Sequence, residues 1–166
     1  SRSVGCVGRA LIKGCAGYAE AGGDYDGFWI GLAKEFVEWF KEPTESLQWD
    51  PPHCTWFADG ELNVSYNCLD KQVNNGRGDK VAYHFVPEST DEEHRPITYA
   101  ELKDEVCRCA NALRTLGVKK GDRVGIYMGM VPELPIALLA CARLGAPPVV
   151  VFGGFAADSL GERMSS

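Results

Sequence analysis

The sequence predicts an α/β fold built on a parallel strand pair, and three observations predict it. Val124 to Met128 is a short apolar run rich in β-formers, and Val149 to Phe152 is another. Between them, Pro132 to Leu144 carries Leu134, Leu138 and Ala142 at helical spacing, with Leu139 and Cys141 one step round. Gly145 then stands where a left-handed helix stop belongs. Two strands joined by an apolar helix of that length are most simply parallel neighbours linked by a crossover.

The second strand runs into Phe152-Gly153-Gly154-Phe155, and ligands of open α/β sheets bind beyond the strand C-termini. Two readings of the glycine pair follow. It is either a plain turn, which spacing alone favours, or a place where bare backbone passes close to a ligand and offers its N–H groups.

Composition narrows the function classes. The 166 residues and 18.1 kDa suit one domain, with 45% hydrophobic and 24% charged residues as in soluble globular chains. A net charge of −6, with Lys and Arg scattered among acids, argues against a nucleic-acid surface. Nor does any apolar run approach the roughly 20 residues that span a membrane. The seven cysteines (6, 15, 54, 68, 107, 109 and 141) are odd in number and form no CxxC, so a disulfide framework and a zinc site are both disfavoured. Reduced, mostly buried thiols in a cytoplasmic protein are expected.

Taken in order, residues 1–23 form an unassigned segment with Arg2, Arg9 and Lys13 and no acid before Glu20. That composition loosely fits a transit peptide, which makes the mitochondrial matrix the alternative location. Phe28, Leu32, Phe36 and Phe40 recur at helical spacing, with Pro43 marking the end. Residues 44–66 read as an extended arm in which Pro51-Pro52 excludes helix and Asp59-Gly60 turns between Trp56-Phe57 and Leu62-Val64. A short helix is expected over Asn67–Val73, a polar turn over Asn75–Asp79 and a strand over Lys80–Phe85. His53, His84 and His94 share no metal-ligand spacing with the cysteines and are read as structural. Pro87 to Pro96 is an acidic, solvated loop. Thr98-Tyr99-Ala100-Glu101 is a capping box; Leu102, Val106, Ala110 and Leu113 form the apolar face of the helix it opens, and Gly117 ends it.

With those segments placed, the chain resembles the N-terminal part of the acetyl-coenzyme A synthetases, AMP-forming acyl-CoA synthetases of the adenylate-forming superfamily. The resemblance rests on FW at 28–29, WFADGELNVSYNCLD at 56–70, ITYAELKDEVCRCANALRTLGVKKGDRVGIYM at 97–128, MVPE at 130–133 and LLACARLGAPPVVVFGGF at 138–155. It implies a helical and extended arm over 24–79, then the first βαβ units of the large AMP-binding domain over 80–166, with the parallel sheet incomplete and an apolar strand edge unpaired. The family uses ATP and Mg2+ to turn acetate, or another short-chain carboxylate, into acyl-AMP, and coenzyme A then displaces AMP. The resemblance places Phe152, Gly153 and Gly154 against the nucleotide end of coenzyme A. An aromatic face that stacks on adenine suits that role, as does a glycine backbone open to close approach.

Three departures from the family pattern stand at Lys71-Gln72 (usually Arg-His), Gly129 (usually Pro) and Pro148 (usually His). The family's Ser/Thr/Gly-rich phosphate loop, ribose-binding acid and adenylation lysine have no counterpart here, nor does any Walker or GxGxxG glycine pattern occur. No catalytic residue and no metal ligand is therefore assigned, and the ending at Asp158–Ser166 reads as a helix cut short. No nucleic acid or membrane is expected as a partner, while a homo-oligomer is compatible with the sequence. The alternative from another class is a short non-catalytic module that binds coenzyme A or docks on such a ligase.

Overall fold

The computed structural model describes residues 21–154 together with Gly161 and Ser165. Most of the unassigned 1–23 segment, Cys6 and Cys15, Phe155 and most of the stretch 158–166, expected to be helical, lie outside the described residues. The chain divides into two compact units, 1–62 and 63–166.

The first unit contains helix α1, Tyr25–Phe36, whose start is fixed by Asp24 accepting from the Gly27 amide at 2.9 Å. It is earlier and shorter than the aromatic spacing suggested. Val37 turns extended, and Trp39 folds back so that its indole N–H donates to the Ala33 carbonyl at 3.1 Å. Phe40 therefore continues the helical period without continuing the helix. The supposed extended arm contains an antiparallel hairpin, β1 (Leu47–Asp50) and β2 (His53–Trp56), turning at a cis Pro51-Pro52 peptide.

Polar ties hold this small unit together. The buried Ser46 donates from both its amide and its hydroxyl to Asp26, and Thr44 donates its amide and hydroxyl to Asp59 at 3.0 and 2.7 Å. The Gly60 amide closes a turn on the Phe57 carbonyl at 2.9 Å, with Phe57 held at φ 50. After that turn Leu62–Val64 is no strand; pairing there is confined to Lys41 and Glu61. Gly60 is required by its neighbour, because a Cβ there would lie 2.6 Å from the Trp39 ring. Trp29, Tyr25 and Trp56 meet edge-on or tilted at 5.5–6.2 Å between ring centroids.

The second unit opens on a helical stretch with π-helical segments at Tyr66–Asp70 and Val73–Arg77, broken at Asn75 and Gly76 where the polar turn was expected. Strand β3 (Val81–Phe85) pairs antiparallel with β4 (Arg95–Thr98), which lies at the end of the acidic loop. Helix α2 (Tyr99–Thr115) then begins at the predicted capping box, both halves of which are formed. Gly117, at φ 97, ends it, with Val118 donating to Leu113 at 3.1 Å and Gly117 to Arg114 at 3.0 Å.

The predicted strand, helix and strand follow as β5 (Val124–Met128), α3 (Glu133–Leu144) and β6 (Pro148–Phe152), and β5 and β6 are parallel. Gly145 ends α3 at φ 70, with the Ala146 amide on Cys141 and the Gly145 amide on Ala142. The core lies where α2 meets α3. Leu69, Ile97, Leu102, Val106, Ala110 and Ala140 are its buried members, so the π-helical stretch and the β3–β4 hairpin both pack onto the helix pair.

One electrostatic tie fastens the unit's start to its far end. Arg143, at the end of α3, binds Asp70 through both Nη atoms, while Lys103 stands 3.9 Å away on α2. The Asn63 side-chain amide adds bonds to the last α3 carbonyls, Ala142 at 3.2 Å and Arg143 at 3.1 Å.

One side-chain expectation is corrected. Of the described cysteines only Cys141 is buried; Cys54 and Cys68 are exposed, because one sits on a hairpin with little covering it and the other on the outer side of the π-helical stretch. All three histidines are exposed.

Candidate functional site

Strand direction decides where a ligand can approach. Both β5 and β6 end on the same edge, with Met128 opposite Phe152 in register. Two loops therefore leave side by side: Gly129-Met130-Val131-Pro132 into α3, and Gly153-Gly154 after β6. Both glycines of the second loop are exposed, as is Met130 at 80% of its free surface.

The first loop is tightly wound. The Val131 amide donates to the Gly129 carbonyl at 3.0 Å, and the Leu134 amide donates to the Val131 carbonyl at 3.0 Å. Tyr83 reaches across from β3 to donate its hydroxyl to the Pro132 carbonyl at 3.3 Å. Burial pushes the ionisation of that hydroxyl up, with Arg95 opposing and Glu133 reinforcing the shift, so it stays protonated as the donor this bond needs.

Gly153 meets the first loop directly. A Cβ at this position would lie 2.8 Å from the Met128 carbonyl oxygen, 3.1 Å from its carbon and 3.3 Å from the Gly129 nitrogen. These are backbone atoms that cannot swing aside. The structure thus brings Gly153 and Gly154 to the predicted strand edge, and Phe152 ends β6 beside them with its side chain outside the described residues. The contact from Met128 and Gly129 is absent from the sequence reading; only the parallel register of the two strand ends signals it.

The remaining chemistry is sparse. Among the described residues no three His, Cys, Asp or Glu side chains come together to hold a metal ion. Cys109 and Cys141 are protonated thiols, both pushed up by burial, with Cys109 adding to the shift at Cys141. No helix among the described residues is long and apolar enough to cross a membrane.

Comparisons with known proteins bear on the same residues. A family model described as AMP-binding enzyme matches residues 69–166, and one described as acetyl-coenzyme A synthetase N-terminus matches 16–68. An acetyl-coenzyme A synthetase of Rubrobacter xylanophilus is 53% identical over 157 residues, covering 95% of this chain and 24% of that protein. One of Streptomyces coelicolor is 57% identical over 148 residues, covering 89% of this chain and 22% of its own length. Among solved structures, an acetoacetyl-CoA synthetase from Streptomyces lividans matches with a TM-score of 0.77 and 32% identity, over 86% of this chain and 22% of that one. The chain spans about a quarter of the length of the curated relatives it matches.

Proposed function

The chain belongs to the AMP-binding enzyme family, and from that premise we propose that it is part of an ATP-dependent ligase. That ligase activates acetate, or a similar short-chain acid, as acyl-AMP and hands the acyl group to coenzyme A. The observation that carries this reading is identity of 53–57% to acetyl-coenzyme A synthetases over 89–95% of the chain, joined to an N-terminal segment matching the model of that subfamily. A match to AMP-binding enzymes alone would leave the acid open.

In this reading ATP, Mg2+ and the acyl chemistry are handled by residues of the complete protein that are not among these 166, so the chain by itself is inactive. Its own contribution is part of the coenzyme A site, at Phe152, Gly153 and Gly154. The fit is supported by two exposed glycines at the strand C-terminal edge, whose bare backbone permits close approach of a nucleotide. Free thiols at all five described cysteines suit the reducing cytoplasm to which we assign it.

The test is acetate-dependent exchange of pyrophosphate into ATP by the complete polypeptide, followed by thioester formation on adding coenzyme A. Exchange with acetate and thioester with coenzyme A are expected. A complete polypeptide that binds coenzyme A but never exchanges pyrophosphate with any short-chain acid would overturn the ligase reading in favour of the non-catalytic module.

A further inference from the structure

Resting on the coenzyme A reading of the Gly153-Gly154 turn, we infer that the Met128–Gly129 peptide at the end of β5 is a positioning element for that ligand. Gly153 serves the protein's own contact, and Gly154 is the glycine left to face the ligand.

The inference starts from a contrast among glycines. Gly76, Gly117 and Gly121 are turn glycines chosen for conformation: they lie at φ 73, 97 and 92, and a Cβ on any of them would touch nothing within 4 Å. Gly153 is the reverse. Its φ lies outside the left-handed region, so an L side chain is conformationally allowed, yet a Cβ would press on the Met128 carbonyl at 2.8 Å and the Gly129 nitrogen at 3.3 Å. Space is what demands glycine here, and backbone of the neighbouring strand end occupies that space. A plain turn requires no such contact.

The contact has a mechanical consequence. The β5–β6 ladder ends at Met128 and Phe152, so beyond it this approach is what sets the height of the turn above the strand edge. The Met128–Gly129 peptide is itself held, since Gly129 accepts from Val131 and the loop is anchored at Pro132 by Tyr83. Fixing one loop against the other presets the shape that the ligand meets. Displacement of a binding element by about 1 Å costs up to about a hundredfold in a preorganised site.

Three measurements on the complete polypeptide test this: coenzyme A and ATP half-saturation in Gly153→Ala, the same constants in Gly154→Ala, and amide hydrogen exchange of the unmodified protein with and without coenzyme A. Gly153→Ala should raise the coenzyme A KM at least tenfold, with kcat falling less than threefold and the ATP KM moving less than twofold. In the unmodified protein, coenzyme A should slow exchange in both 124–131 and 148–154. A merely structural glycine would lower the melting temperature and disturb both half-reactions together, which would overturn the inference. So would an effect confined to Gly154→Ala, with protection confined to 148–154; the coenzyme A reading would then survive alone. If neither variant and neither segment responds while thioester still forms, the coenzyme A reading and the inference fail together. Should Gly153→Ala not fold, the exchange experiment decides without it.

Discussion

Substituting Asp70 by Asn should destabilise the chain by about 2–3 kcal/mol, a figure that follows from where its cations stand. The carboxylate is 15% exposed, the Arg143 side chain that grips it 23%, and Lys103 stands 3.9 Å off. Unit charges about 4 Å apart are worth about 1 kcal/mol in water and about 4 kcal/mol at an effective dielectric of 20. Exposed pairs return about 0–1 kcal/mol, and breaking a fully buried one costs about 3–5 kcal/mol. This pair sits between those limits, and Asn leaves Arg143 facing a neutral amide with its own Nε already lacking an acceptor. Arg143→Met should cost less, about 1–2 kcal/mol, because Asp70 keeps Lys103 and Met keeps most of the aliphatic packing. Urea unfolding of both single variants and the double variant closes a mutant cycle, with an expected coupling of about 1–2 kcal/mol that survives about 0.5 M salt. Coupling under about 0.3 kcal/mol, or its disappearance in salt, would refute the claim that the tie is partly buried and structural.

Gly60→Ala should lower stability by about 1–3 kcal/mol and shift tryptophan emission, since the new methyl displaces the Trp39 ring 2.6 Å away. Gly31→Ala, inside α1 with nothing within 4 Å, should instead raise the melting temperature, helix entropy favouring Ala by about 0.5–1 kcal/mol. Thr98→Ala removes one half of the α2 cap and should cost about 1 kcal/mol by chemical denaturation. Hydrogen bonds from Thr98 hold Glu101 below its usual range, as those from Ser46 do for Asp26 and those from Thr44 for Asp59. As pH falls, the unfolded chain takes up these protons first. The stability these groups add is therefore complete above the ordinary carboxylate range and lost as pH drops through the lowered values; Glu101→Gln should flatten that acid limb in a melting-temperature series. Cys54 and Cys68 should alkylate rapidly in the native state and Cys141 only on unfolding, which mass spectrometry of peptides after brief labelling can follow.

What was legible in the sequence follows burial. The Val124–Phe152 strand, helix and strand are readable because each element hides one side and so imposes a period, and the caps at Thr98, Gly117 and Gly145 are readable because local backbone geometry dictates their residue types. The β1–β2 hairpin was missed for the opposite reason: seven of its eight strand residues are exposed, so no alternation records which way they face. The aromatic period through Phe40 misled because Trp39 returns to Ala33 by a side-chain bond that spacing cannot encode. At the candidate site, the glycine pair was visible and its position at a strand end was inferable. The reason for Gly153 was not, since it lies in a residue 25 positions earlier that only the parallel register brings alongside.

The tie from Asn63 and Asp70 to the end of α3 also bears on the order in which the second unit assembles. Its bonds join residues 73 to 80 positions apart, whereas the β3–β4 hairpin closes across ten, from Phe85 to Arg95. On loop-closure entropy the longer connection is dearer by about 1.8 kcal/mol, about a twentyfold handicap in rate. The hairpin and α2 thus have the means to form first, and the π-helical stretch locks onto α3 only after the rest is in place. Weakening Asn63 or Asp70 would then hasten unfolding while leaving the refolding rate nearly untouched, the behaviour of a latch rather than of a nucleus.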